Sequence, residues 1–184
     1  LYQNKATFKL GDSNLHYYQS LPTSQEFSFI TTNIYFIVVA EGEILLREKN
    51  ENSTSICKNE HPVILKPHQD LTIKMNPDFS GNFEMFILEF NSADLALVIP
   101  SIYNLYPTIP RSQANTKATS INILQANNWL DSLYNILRIS HEVNPFKKIL
   151  FDLAFKELLV KILHQPFEGL LLQEDSIDYN KLHI

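Results

Sequence analysis

Residues Tyr35 to Glu48 read YFIVVAEGEILLRE, and the way this stretch is divided decides the fold. An apolar strand from Tyr35 to Ala40 runs into the turn Glu41-Gly42-Glu43, and Ile44, Leu45 and Leu46 carry a second strand away from it. Residues from Asn33 to Ala40 are apolar on both faces, which predicts a central strand covered on both sides. Glu43 to Glu48 is expected to pair with that strand across the turn. About twenty residues further on, His61-Pro62-Val63-Ile64-Leu65-Lys66-Pro67-His68 gives another short strand, closed by a proline.

The flanking sequence extends this pattern. Ala6-Thr7-Phe8-Lys9-Leu10 alternates, Gly11-Asp12-Ser13-Asn14 has turn chemistry, and Leu15-His16-Tyr17-Tyr18 resumes, so a hairpin is predicted. Strands are also predicted at Glu26 to Ile30 and, after the polar run Lys49-Asn50-Glu51-Asn52-Ser53, at Thr54 to Cys57. Leu71, Ile73 and Met75 share one face of a strictly alternating segment, and Asn76-Pro77-Asp78-Phe79-Ser80-Gly81 is a turn cluster. In the last long strand Phe83, Met85 and Ile87 face one way, and Phe86, Leu88 and Phe90 the other. Roughly eight or nine short strands at this spacing predict a sandwich or barrel. A Gly turn followed by an apolar strand ending in Pro-X is the order of a cupin-like β-barrel or jelly roll, here expected over residues 1–90.

A catalytic cupin places a His-X-His and a Glu after such a turn, because imidazoles two apart on a strand point to one side and can share a metal. No histidine stands between Glu43 and Glu48, and the six histidines, at 16, 61, 68, 141, 164 and 183, are never spaced i, i+2 or i, i+4. His68, beside Pro67, reads as a loop or strand-end residue. Glu41, Glu43 and Glu48 are the acidic residues near the turn, and solvation of a turn accounts for them. A binding or signalling barrel is expected, with no metal, no cofactor and no catalytic residue.

Composition narrows the classes further. A chain of 184 residues supports one well-buried domain or a barrel with a helical appendage. No apolar run approaches the eighteen or so residues of a membrane span, so no membrane partner is expected. The single cysteine, Cys57, excludes an intrachain disulfide and a CxxC site and suits a reducing, cytoplasmic setting; it reads as a small packed or edge residue. Net charge is −5, with no basic block longer than Lys147-Lys148, so this segment is not expected to bind DNA by itself. The chain opens on Leu1 and ends in a run, Ser176 to Ile184, that could begin another helix; a fragment of a longer protein is expected.

After residue 90 the pattern becomes helical. Asn91-Ser92 can cap a short helix from Ala93 to Val98 that Pro100 limits, and residues 91–120 are expected to form this helix and a surface connection with Pro107 and Pro110. Residues 121–184 are expected to hold a helix pair. In the first helix Ala126, Trp129, Leu130, Leu133, Ile136 and Leu137 form one stripe. The second opens at Asn144-Pro145, a cap followed by proline, and runs to about His164. It carries two apolar stripes: Phe146, Ile149, Leu150, Leu153 and Val160 on one side, Phe151, Phe155, Leu158 and Ile162 nearly opposite. Such a helix needs two partners, one of which can be a second subunit.

This order of parts resembles the N-terminal regulatory domain of the AraC/XylS family of bacterial transcription regulators. The echoes are FIVVAEGEILL (36–46), HPVILKPHQDLTI (61–73), FEMFILEF (83–90), the short helix after Asn91-Ser92 and the terminal helix pair. The resemblance spans the whole chain as a pattern, without the family's diagnostic pair of helix-turn-helix units. It implies an α+β domain whose barrel receives a signal and whose helices dimerise, with DNA contacted only through a missing C-terminal domain. The subgroup it looks most like, the virulence and type III secretion activators, answers either to a fatty acid or other small ligand or to an anti-activator protein. Ligand contacts are then expected from Tyr17, Phe29, Tyr35, Ile37, Phe83 and Met85, and dimer contacts from Leu150, Phe151, Leu153, Phe155, Leu158 and Ile162. A metal-free cupin-like binding or interaction module is the alternative, with a cupin enzyme behind it.

Overall fold

Two antiparallel sheets face each other. In the larger, the order is β1 (Asn4–Leu10), β2 (Ser13–Gln19), β9 (Glu84–Phe90), β4 (Ile34–Glu41), β7 (Val63–Leu65) and β10 (Ile121–Ile123). The smaller runs β3 (Gln25–Ile30), β8 (Asp70–Asn76), β5 (Glu43–Glu48) and β6 (Thr54–Lys58). Among the described residues three helices accompany the barrel: α1 (Ser92–Leu105), α2 (Trp129–His141) and α3 (Lys147–Leu163). The structure, a computed structural model, describes residues 4–10, 12–19, 23–49, 54–58, 61–105, 121–124 and 128–163. Ala126, the connection 106–120 and the end of the second long helix at His164 lie outside the described residues.

The fold class is the expected α+β, a cupin-like jelly roll followed by helices. Alternation assigns the larger sheet's two faces as the sequence implies. Ile37, Val39, Phe83, Met85 and Ile87 point between the sheets and pack with Ile44, Leu46, Leu71, Ile73 and Met75. Ile34, Phe36, Val38, Phe86, Leu88 and Phe90 point the other way, into a second core built with all three helices. Thus β4 is central and covered on both sides: Phe36 meets the Trp129 ring edge-on at 5.3 Å on the helical side, while Ile37 is buried in the barrel.

The expected pairing of Glu43 to Glu48 with β4 is corrected by the topology. Strand β4 pairs with β7 and β9, whereas β5 pairs with β6 and β8 in the opposite sheet. The chain crosses between sheets at Gly42 instead of folding back. Gly42 has φ +84°, and a Cβ there would sit 2.6 Å from the Asn76 carbonyl oxygen and 2.8 Å from the Phe83 ring. Only glycine fits that corner without strain.

Two further differences concern the helical part. Helix α1 continues through Pro100 to Leu105. Proline removes one intrahelical hydrogen bond, costing about 3 kcal/mol, but Leu95, Ile99, Ile102 and Tyr103 are buried on both sides of it. At about 1.5–3 kcal/mol for each large apolar side chain, that burial outweighs the break. Ile121–Ile123, expected to open the helical part, instead adds an edge strand to the barrel beside β7. Asn91 caps α1 as expected, its Oδ1 accepting from the Ala93 amide at 2.8 Å; Asn144 Oδ1 accepts likewise from the Phe146 amide at 2.8 Å, but α3 opens only at Lys147, so Pro145 lies in the turn before the helix and not at its first position.

Candidate functional site

The six strand residues expected to hold a ligand do not line one cavity. Ile37, Phe83 and Met85 lie fully buried between the sheets. Phe29 and Tyr35 stand at the edge of that interior, rings edge-on at 6.1 Å. Tyr17 is on the opposite face of the larger sheet, under the helices, with its ring 4.9 Å from Phe86.

Each face of β9 carries one carboxylate among its apolar residues. On the barrel side, Glu89 collects hydrogen bonds from Asn33 (2.7 Å), Tyr35 (3.2 Å), Asn14 (3.3 Å) and His16 (3.3 Å), and His16 Nδ1 lies 3.0 Å from the Thr7 hydroxyl. Burial pushes the Glu89 carboxyl upward, but this ring of donors holds it below the usual carboxylate range. On the helical side, Glu84 is only 9% exposed and accepts the Tyr17 hydroxyl at 2.6 Å and the Tyr134 hydroxyl at 2.5 Å. Burial, and then hydrogen bonding to Glu84, raise both phenol pKa values above the ordinary one. Glu84 therefore joins β2, β9 and α2 through one carboxylate. Sequence reasoning missed both residues, although the parity that put Phe86, Leu88 and Phe90 on one face also put Glu84 there.

The residues around the glycine corner have structural partners. Glu43 accepts from Asn76 Nδ2 at 3.2 Å and Glu48 from Gln69 Nε2 at 3.0 Å. His68 is exposed in a turn with φ 63°. Cys57 is buried, donates to the His61 carbonyl at 3.0 Å, and has its thiol pKa pushed up by burial to about 12. Among the described residues no three His, Cys, Asp or Glu side chains are grouped to hold a metal ion.

A cleft of about 560 Å³ opens between the end of β1, the start of α1 and the start of α3. Val98, Phe151 and Phe155 make its apolar surface, with Pro145 beside them. Its charged residues divide into committed and free. The Asp94 carboxylate accepts from the Asp12 amide (3.0 Å) and the Ser13 hydroxyl (2.7 Å), and Asp152 pairs with Lys156 at 2.8 Å. Lys147 donates to the Ser140 carbonyl at 2.5 Å and lies 6.0 Å from the Phe151 ring centroid. The side chains of Lys9 and Lys148 have no hydrogen-bond or ion-pair partner among the described residues. None of the six strand residues expected to bind a ligand lines this cleft.

The two stripes of α3 have different surroundings. Phe155, Leu158 and Ile162 belong to the core shared with the larger sheet, and the Phe155 ring lies 5.9 Å from Phe90. Leu150 and Phe151 are half-buried against that core. On the other side Phe146, Ile149 and Leu153 are 63%, 59% and 59% exposed. Of the six residues expected at a dimer contact, Leu153 is thus the one on an open apolar face, while Phe155, Leu158 and Ile162 are occupied within the domain.

No protein-family model and no curated protein sequence matches the chain. Solved structures do. The chain is similar to an apo variant of ToxT from Vibrio cholerae strain SCE256, with a TM-score of 0.62 and 12% identity, over 90% of this chain and 60% of that one. It is similar also to ToxT from Vibrio cholerae O395 bound to (E)-4-(8-methylnaphthalen-1-yl)but-3-enoic acid, with a TM-score of 0.57 and 12% identity, over 90% and 61%. ToxT is an AraC-family virulence regulator, so the fold expected from the AraC/XylS resemblance is the fold found. The chain spans about three fifths of the length of these structures.

Proposed function

We propose that the chain is the effector-responding and dimerising part of an AraC-type transcription activator, with DNA contacted by a separate helix-turn-helix domain. The observation that carries this reading is the extent of the likeness to ToxT, which covers 90% of the chain and so takes in helices as well as barrel. A barrel-only likeness would have favoured a plain cupin-like binding module. In this reading residues 1–90, joined by the edge strand Ile121–Ile123, are the barrel, 91–120 the linking part and the helices that follow, up to residue 184, the dimerising part, and the protein works in the cytoplasm. A small apolar carboxylate is the favoured effector over an anti-activator protein, because ToxT binds a naphthyl butenoic acid. The effector acts by binding one arrangement of barrel and helices better than another, which shifts the population toward it.

The homodimer contact is assigned to the open apolar row at the start of α3, Phe146 just before the helix and Ile149 and Leu153 on it. An exposed apolar row of this kind on an otherwise amphipathic surface is the expected signature of a helix-in-groove or helix-to-helix contact. Fusing the chain to a DNA-binding domain that represses its operator only as a dimer tests the reading. The wild-type fusion should repress, and Leu153→Asp should abolish repression while leaving far-ultraviolet circular dichroism unchanged. A wild-type fusion that is well expressed yet fails to repress, and is a monomer by sedimentation, would refute the dimerising role.

A further inference from the structure

We infer that a shallow hollow on the outer face of the smaller sheet binds a phosphomonoester head that also carries an ammonium group. Alternation puts Ile44, Leu46, Leu71, Ile73 and Met75 inside the barrel and leaves Leu45, Arg47, Thr72 and Lys74 on the outward face of the same strands. With Glu26 of β3 and Thr54 of β6, these four line a cavity of about 100 Å³. Register fixes the grouping. Arg47 stands across from Thr72 on β8 and from Thr54 on β6, and Lys74 stands across from Leu45 on one side and from Glu26 on the other. At about 30 Å³ per water the hollow holds roughly three waters, enough for one tetrahedral head and far below the roughly 300–1,000 Å³ that encloses a whole ligand.

The charges in the hollow are unanswered, whereas those of the rows beside it are committed. At one end of the face Lys49 pairs with Asp70 at 2.9 Å, and at the other Glu43 accepts from Asn76 Nδ2 at 3.2 Å. Between them the side chains of Arg47, Lys74 and Glu26 have no hydrogen-bond or ion-pair partner among the described residues. Thr72 Oγ1 is held 3.1 Å from Ser28 Oγ. A guanidinium presents a fork of parallel donors to a phosphate; Lys74 adds a second positive charge and the Thr54 hydroxyl a further donor. Two cations match the two charges of a phosphomonoester, where a phosphodiester carries only one. Glu26 repels a bare dianion and attracts one whose own ammonium group reaches it, so the three charged residues together select a zwitterionic head.

Titration of the isotope-labelled chain at constant ionic strength, followed through its amide resonances, tests the site; screening is then equal for every ligand. O-phosphoethanolamine should bind saturably, with the shifts centred on Arg47, Thr54, Thr72 and Lys74. Glycerol phosphate, which lacks the ammonium group, should bind about fivefold more weakly, and glycerophosphoethanolamine, a phosphodiester, likewise about fivefold, the worth of one exposed charge pair. Arg47→Gln should weaken phosphoethanolamine about tenfold, since it removes the charge-assisted fork. Glu26→Gln should erase the preference for phosphoethanolamine over glycerol phosphate. Both side chains are exposed, so both variants should keep the wild-type urea midpoint. No saturable shift, shifts scattered over the surface, wild-type affinity in Arg47→Gln, equal affinity for the phosphodiester, or a preference that survives Glu26→Gln overturns the inference. None of these readings involves dimerisation or repression, so the site stands or falls apart from the proposed regulatory role.

Discussion

Replacing Gly42 by alanine measures the corner that carries the chain from one sheet to the other. Two separate costs arise there. A non-glycine residue at φ +84° is strained by about 1–2 kcal/mol. The new Cβ would also stand 2.6 Å from the Asn76 carbonyl oxygen and 2.8 Å from the Phe83 ring. The first neighbour is backbone of β8 and the second a side chain buried between the sheets, so neither swings away freely. Overpacking of this kind costs about 1–3 kcal/mol. Gly81 is the internal control, since its φ is +80° but a Cβ placed there would meet no atom within 4 Å. Both substitutions gain the same small benefit from a stiffer unfolded chain, about 0.4–1 kcal/mol. Gly42→Ala should therefore lose about 1–3 kcal/mol more than Gly81→Ala, or roughly 2–12 °C in Tm at 2–4 °C per kcal/mol for a domain of this size. Urea unfolding followed by the fluorescence of Trp129, the one tryptophan and fully buried, reads the difference. If the two variants agree within about 0.5 kcal/mol, the close approach to Asn76 and Phe83 is wrong, and with it the sheet crossing.

Glu84→Gln leaves two tyrosine hydroxyls competing for one amide oxygen, so stability should drop by about 1–3 kcal/mol, and a cycle with Tyr134→Phe should show the two changes to be non-additive in urea unfolding. Glu89 has a depressed folded pKa, so its contribution is present above the unfolded value of roughly 4.3 and is lost as pH falls through the folded value. The urea midpoint should thus fall with pH across that window, and fall less steeply in Glu89→Gln. Cys57, buried and with its pKa near 12, should resist iodoacetamide in the native state at pH 8 and react on unfolding in urea; rapid native labelling would contradict its burial.

The division of faces was legible because strand geometry has period two. It placed Phe83, Met85 and Ile87 in one core and Phe86, Leu88 and Phe90 in the other, and it identified β4 as covered on both sides. The pairing across Gly42 was not legible, because a hairpin and a sheet crossing share the same pattern of apolar strand, glycine and apolar strand. Only the contacts at the corner separate them. Pro100 misled for a different reason: its local cost is readable from the residue, whereas the burial of Ile102 and Tyr103 that offsets it is tertiary. The cleft was hidden too, since Lys9 and Lys148 are far apart in sequence and neither stands in a motif.

The two cores bear on how a signal could pass through the domain. Among the described residues the central strands of the larger sheet are covered on both faces: one side packs on the smaller sheet, the other on the helices. A ligand entering between the sheets would have to push aside close-packed aliphatic side chains, an overpacking cost of about 1–3 kcal/mol, before it could shift any helix. The cleft at α1 and α3 requires no such displacement. It also lies on the helix that bears the open stripe: Lys148 and Phe151 line the cleft, and Ile149 and Leu153 are exposed beside them. Under the proposed function, a ligand that tilts or stiffens α3 by binding there would change what Ile149 and Leu153 present to a second subunit. Coupling energies of about 1–3 kcal/mol are usual between linked sites, and adjacent residues on one helix can supply that much without any change in the barrel. Effector affinity should then depend on protein concentration across the dimerisation range, and in Leu153→Asp that dependence should vanish while the affinity itself remains measurable.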